Sequence, residues 1–207
     1  MYAKFKSLYH LFRNLFFNGN KGLIWNLLFL KNGNVLKIRN LTTGGVKQCR
    51  FKFIGRNCRI EIEKGCNLTG LSILMGGDGS KVIIKSGCVI NATKYNPVVM
   101  NAFEGKCILI EENCLFSNNI QLHTTDYHPI YPIDSDKRLN EAKDIVVGAH
   151  TWVGLNTLIL KGTKIPGNSI VGAGSLLSGI YEGENSVIAG LPAHTLKNGA
   201  RWEHNIR

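Results

Sequence analysis

The run from residue 145 to 182, IVVGAHTWVGLNTLILKGTKIPGNSIVGAGSLLSGIYE, repeats every six residues. An aliphatic side chain recurs at Val147, Val153, Ile159, Ile165, Val171 and Leu177. Four residues after each of the first five stands a small hydroxyl residue: Thr151, Thr157, Thr163, Ser169 and Ser175. A period of six is neither the 3.6 of an amphipathic helix nor the 2.0 of a half-buried strand. It makes each hexad one side of a stacked structure whose sides share a core. The aliphatic side chain points inward and the small residue packs inside a sharp corner. Glycine or asparagine near the corner tolerates the unusual backbone angles there. Three hexads close one triangular coil, and successive coils pair as parallel strands about 4.8 Å apart. The expected fold class is therefore all-β, a parallel solenoid.

Upstream the pattern is broken but visible. CRFKFIGRNC, KVIIKSGC, CILIEENC and DIVVGAHT each run from an apolar strand through a polar corner to a small residue. Cys58, Cys66, Cys88 and Cys114 follow Ile54, Ile62, Ile84 and Ile110 by four, the corner position that Thr and Ser hold later. They read as small buried residues. No CxxC pair occurs, and unbridged core thiols fit a reducing compartment, so a cytoplasmic setting is expected. The repeat stops after Leu122 and resumes at Val147, so a loop must leave the solenoid between them. That loop, LHTTDYHPIYPIDSDKRLNEAKD, holds His123, Asp126, His128 and Tyr131. A polar, His-bearing loop on a rigid scaffold is where a site would sit.

At the N-terminus, Phe5, Leu8, Tyr9, Phe12, Leu15 and Phe16 share one face at helical spacing, which predicts a helix over residues 2 to 17. Asn18-Gly19-Asn20 breaks it, and a second apolar segment runs from Leu23 to Leu30. Neither reaches the ~20 apolar residues of a membrane span. Residues 1–32 are expected to cap the open end of the solenoid or to lie on a membrane surface. Residues 33–197 form the solenoid, with 127–144 projecting, and 198–207 form a tail. The net charge of +11 comes with no zinc finger, helix-turn-helix or RNA-binding signature. That balance argues against nucleic acid and for an anionic cofactor, an anionic glycan or an acidic membrane surface.

Over about residues 105 to 197 the chain resembles the hexapeptide-repeat acyltransferases. The resemblance implies a left-handed parallel β-helix, a homotrimer and acyl-CoA chemistry. His128-Pro129 matches the His-Pro pair that carries the catalytic base in the sugar acetyltransferases of this family. Trp152, in HTWVG, falls on the tryptophan beside that base. DYHPIY together with RLN and KDI looks especially like bacterial capsular polysaccharide O-acetyltransferases, including those acting on sialic-acid polymers.

What the resemblance implies is transfer of acetyl from acetyl-CoA to a hydroxyl of a bacterial surface glycan, a capsular polysaccharide, with sialic-acid polymers among the candidates; the +11 charge agrees with an anionic acceptor. A thioester is already activated, but a sugar hydroxyl needs a base as it attacks, and imidazole suits neutral pH. His128 takes that role. A backbone N–H or the Trp152 indole N–H serves the oxyanion. Transfer is direct, in a ternary complex, without a metal. Coenzyme A in this family lies in a groove between neighbouring β-helices. By that likeness Asp126, Tyr127 and His128 line the thioester end, Trp152, Lys161 and Ser175 flank the pantetheine, and Lys197 meets the phosphates or adenine. Asp126 either orients an imidazole or holds the turn. Lys137 and Arg138 are candidate acceptor contacts. Ser178-Gly179 departs from capsule-modifying relatives that carry an aromatic and a basic residue there. The setting implied is cytoplasmic, with peripheral contact at the inner membrane.

Rival readings exist. An N-acetyltransferase acting on a sugar nucleotide uses the same chemistry on a smaller acceptor. A nonenzymatic β-solenoid scaffold predicts neither acetyl-CoA binding nor any effect of His128. A zinc hydrolyase of the γ-carbonic anhydrase type needs a third histidine on an upstream coil, yet residues 11 to 122 contain none.

Overall fold

Three sheets run along the chain, each assembled from strands that recur once per coil. The computed structural model describes residues 14–17, 28–39 and 45–204. The first face comprises Asn14–Phe17, Cys49–Phe53, Leu71–Met75, Val98–Ala102, Gln121–His123, Leu158–Ile159 and Leu176–Leu177. The second comprises Leu28–Phe29, Val35–Ile38, Arg59–Ile62, Lys81–Ile84, Cys107–Ile110, Ile145–Val147 and Lys164–Ile165. The third comprises Val46–Lys47, Asn67–Thr69, Val89–Asn91, Leu115–Phe116, Trp152–Val153, Ile170–Val171, Val187–Gly190 and Ala193–Lys197. Among coils the pairing is parallel and in register. Ile62, Ile84, Ile110, Val147 and Ile165 stack as one inward column, none more than 2 % exposed.

The corners explain the sequence repeat. Cys66, Cys88, Cys114, Thr151, Ser169 and Ser186 lie at the corners between the second and third faces, all buried. Elsewhere the hydroxyl closes its own bend: Thr157, Thr163 and Ser175 each donate to the carbonyl three residues back, at 2.7 Å. A buried hydroxyl must find such a partner, and the corner carbonyl supplies it. The six cysteines form no disulfide among the described residues. Burial pushes the Cys49 thiol up to about 11, which keeps it a neutral packing group. Asn57, Asn113, Asn119, Asn156, Asn168 and Asn185 adopt positive φ, as corner asparagines can. Gly154 is fixed by close approach: a Cβ there would sit 2.7 Å from Ala173 N and 2.8 Å from Val171 O of the next coil.

Both ends differ from a bare solenoid. The helix expected over residues 2 to 17 is not what its last four residues form. Asn14–Phe17 is a strand paired antiparallel with Cys49–Phe53, and Leu28–Phe29 pairs antiparallel with Val35–Ile38. The first coil offers a row of unpaired backbone groups at its edge, and pairing with them outweighs helical spacing. The rest of that predicted helix lies outside the described residues. No helix among the described residues is long and apolar enough to cross a membrane. At the other end Ala193–Lys197 turns back antiparallel on Val187–Gly190. The tail beyond it then crosses the outer side of the third face, bringing Trp202 to His150 and His204 beside Asn67 and Leu115.

Candidate active site

The loop between His123 and Ile145 leaves at the corner where the first face meets the second. It is tied to the coil below and the coil above. Below, Phe103 N donates to the buried Thr124 Oγ1 at 2.9 Å, and Thr125 Oγ1 donates to Glu104 Oε1 at 2.5 Å. Arg138 grips the same carboxylate with both terminal nitrogens, at 2.6 and 3.1 Å. That fork holds the Glu104 carboxyl below the usual carboxylate range. Above, Lys161 Nζ reaches Asp126 Oδ2 at 2.6 Å and Asn140 O at 2.8 Å. The Lys161 ammonium, aided by Asn140, holds the Asp126 carboxyl low as well.

Asn140 is the hub of the loop, and its side chain uses both ends. Its Nδ2 donates to Asp126 Oδ2 at 2.9 Å and to the His128 carbonyl at 2.8 Å. Its Oδ1 accepts from Ile130 N at 2.8 Å and Arg138 Nε at 3.2 Å. The His128 N–H donates to the Asp126 carbonyl at 2.8 Å. His128 therefore has a fixed backbone and an exposed side chain, and among the described residues its imidazole has no hydrogen-bond partner. A base needs one ring nitrogen within reach of the substrate proton, and this exposed imidazole on a fixed backbone can offer it.

Three expectations change. Asp126 does not orient an imidazole; its carboxylate is spent on Lys161 and Asn140 and holds the turn. Arg138 is not open to an acceptor, because Glu104 occupies it. Ser175 is buried, its hydroxyl bonded to Gly172 O and Gly190 N, so it offers no side chain to a ligand.

Trp152 lies elsewhere, on the outer side of the third face, 38 % exposed. Asn67, Val89, Leu115, Trp152, Ile170 and Val187 form one outward ladder in register on that face. The Trp202 ring lies 6.3 Å from that of Trp152 and stacks on His150 at 4.4 Å and 13°. Trp202 Nε1 donates to the His150 carbonyl at 2.8 Å. Below Trp152 a cavity of about 380 Å³ is lined by Asn67, Thr69, Val89, Asn91, Leu115 and His204, among others. Lys197 ends the antiparallel strand at the other end of the same face. Asp126, Tyr127, His128 and Lys161 thus share one corner, while Trp152 and Lys197 share the face opposite that corner. One chain does not bring the two groups together.

Asn140, Glu104 and Trp202 were not among the residues singled out from sequence. Asn140 lies within the RLN motif, but nothing in a charged loop marks which polar residue is buried. Trp202 stands alone in a polar tail with no period to place it.

No family model matches the chain. A polysialic acid O-acetyltransferase of Neisseria meningitidis is 33 % identical over 120 residues, which are 53 % of this chain and 55 % of that protein. The "Putative lipopolysaccharide biosynthesis O-acetyl transferase WbbJ" of Escherichia coli K12 is 31 % identical over 167 residues, covering 73 % of this chain and 83 % of it. The crystal structure of the polysialic acid O-acetyltransferase OatWY superposes with a TM-score of 0.70 at 28 % identity, covering 84 % of this chain and 79 % of that one. The chain belongs to the hexapeptide-repeat acetyltransferases. The fold is accordingly the left-handed parallel β-helix of that family, as the repeat and the resemblance led one to expect. The stretch matched to the meningococcal member spans little more than half of that protein.

Proposed function

We propose that this hexapeptide-repeat protein is an O-acetyltransferase that moves acetyl from acetyl-CoA to a hydroxyl of a bacterial surface glycan. The observation that carries the reading is His128: a bare imidazole on a loop pinned from two coils, in a chain whose relatives are named O-acetyltransferases. The acceptor hydroxyl binds beside His128, which takes its proton as the oxygen attacks the thioester carbonyl. The tetrahedral intermediate collapses, and His128 returns the proton to the departing thiolate. Holding donor and acceptor together supplies much of the remaining rate, in a ternary complex with no acyl-enzyme. The acceptor class is an anionic glycan, including sialic-acid polymers, in keeping with the +11 charge and with the polysialic acid relatives.

The site is shared between copies in a homotrimer. Its support is the placement of His128 at one corner and Trp152 on the opposite face. A second copy supplies the missing half, so the Trp152 indole and Lys197 of one chain meet the His128 loop of its neighbour with coenzyme A between them. The protein works in the cytoplasm, and Asn14–Phe17 and Leu28–Phe29 cover the edge of the first coils; the rest of the expected cap or membrane-surface segment before residue 28 lies outside the described residues.

The test is free-thiol release from acetyl-CoA across a panel of capsular and lipooligosaccharide glycans, with wild type and His128→Ala. Acceptor-dependent release should fall by about 10² to 10⁴-fold in the variant. Equal release by both would remove His128 as base. No release, with no acetyl-CoA binding, would leave a scaffold.

A further inference from the structure

Tyr127, the residue just before the candidate base, has φ 66°. That is left-handed backbone, which a bulky aromatic residue rarely adopts and keeps only when its surroundings impose it. The surroundings here are specific. The phenol oxygen lies 2.7 Å from Asn101 Nδ2 and 2.7 Å from His123 Nδ1. The ring meets Phe103 edge-on at 5.1 Å. The Tyr127 N–H donates to Thr125 Oγ1 at 3.2 Å.

The hydrogen bonds close in one consistent direction. His123 Nε2 lies 3.1 Å from Gln121 Oε1, an acceptor, so the ring hydrogen belongs on Nε2. Nδ1 then accepts the Tyr127 O–H, and the phenol oxygen accepts from the Asn101 amide. Burial lowers the His123 pKa, which favours the neutral ring this scheme needs. Asn101 and His123 are paired neighbours on the outer side of the first face, a rigid sheet. His128 is thus bracketed. Asn140 holds its carbonyl from one side, and on the other its chain neighbour is pinned to the sheet.

We infer that Tyr127 is a positioning residue for His128: its phenol, anchored by Asn101 and His123, locks the left-handed turn that aims the imidazole, and it is not a contact for coenzyme A. The inference rests on His128 being the base. Tyr127→Phe keeps the ring against Phe103 and removes only the anchor. His123→Leu removes the acceptor, while His123→Gln retains one within reach.

Steady-state kinetics of the full chain with acetyl-CoA and an accepted glycan test it. Tyr127→Phe should lower kcat by on the order of tenfold, since small misplacements of a catalytic group are costly. The KM for acetyl-CoA should stay within about twofold of wild type. His123→Leu should match Tyr127→Phe, the double variant should be no worse than either, and His123→Gln should recover most of kcat. A raised KM for acetyl-CoA at unchanged kcat would make Tyr127 a cofactor contact and overturn the inference. So would a lowered melting temperature with unchanged kcat, the mark of a purely structural role. If wild type itself transfers no acetyl, the proposed function fails and takes the inference with it; an active wild type with an equally active Tyr127→Phe defeats the inference alone.

Discussion

Two ion pairs tie the His128 loop to its neighbouring coils: Asp126 with Lys161 above, and Glu104 with Arg138 below. Both carboxyls are held below their ordinary range by those partners. A carboxyl whose pKa is depressed by folding stabilises the folded form above its unfolded pKa, and that contribution fades as pH falls through the folded value. The loop should therefore loosen as pH drops below about 4, before the coils do. Hydrogen exchange, corrected for intrinsic rate, reads this directly. The Ile130, Leu139 and Lys143 amides should lose protection at a higher pH than Val146 on the adjoining strand; simultaneous loss would contradict the clamp. Residue-level legibility was uneven for a physical reason. The corner rule, an aliphatic and then a small residue four on, placed Cys58, Cys66, Cys88 and Cys114 inside, and they are buried. The same rule placed Ser175 inside, and there it outranked family likeness. Asp126 and Arg138 find Lys161 and Glu104 on other coils, and the Asn140 side chain bridges the two arms of its own loop, contacts that no local spacing reports.

Among the elements, the repeating coils were readable because each hexad is stabilised by the hexads above and below it in the same way. The ends were not, because their partners are particular. Helical spacing in residues 14–17 yielded to pairing with the edge of the first coil. The C-terminal strap was invisible because its anchors stand in a polar tail with no period: Trp202, buried against His150 and bonded to its carbonyl, Ala200, whose N–H donates to Asn185 O, and Asn198, which accepts from Ser186. Trp202→Ala should leave a cavity on the third face and destabilise the protein by about 3 kcal/mol in denaturant unfolding. It should also free the Trp152 ring, seen as faster quenching of its fluorescence by an added neutral quencher. An unchanged unfolding midpoint would mean that the strap does not hold.

At the scale of the whole molecule, the geometry divides the chemistry. The corner bearing His128, Tyr127, Asp126 and Lys161 faces away from the side bearing Trp152 and Lys197. Under the proposed function neither group makes a site alone, and the outward ladder of Val89, Leu115, Trp152, Ile170 and Val187 on the third face is crossed by the chain's own tail, which leaves Trp152 exposed. The coil architecture could be read from sequence through its period. This division could be read only from the topology, because a hexad repeat does not say on which corner a loop emerges. Subunit complementation tests the central claim most directly. His128→Ala and Trp152→Ala proteins, each nearly inactive, are unfolded together, refolded, and assayed for acceptor-dependent thiol release. Mixed assemblies that pair an intact His128 loop with an intact Trp152 face should regain activity well above the sum of the two parents refolded separately. Activity no greater than that sum would mean that one chain carries the whole site, or that His128 and Trp152 do not act together.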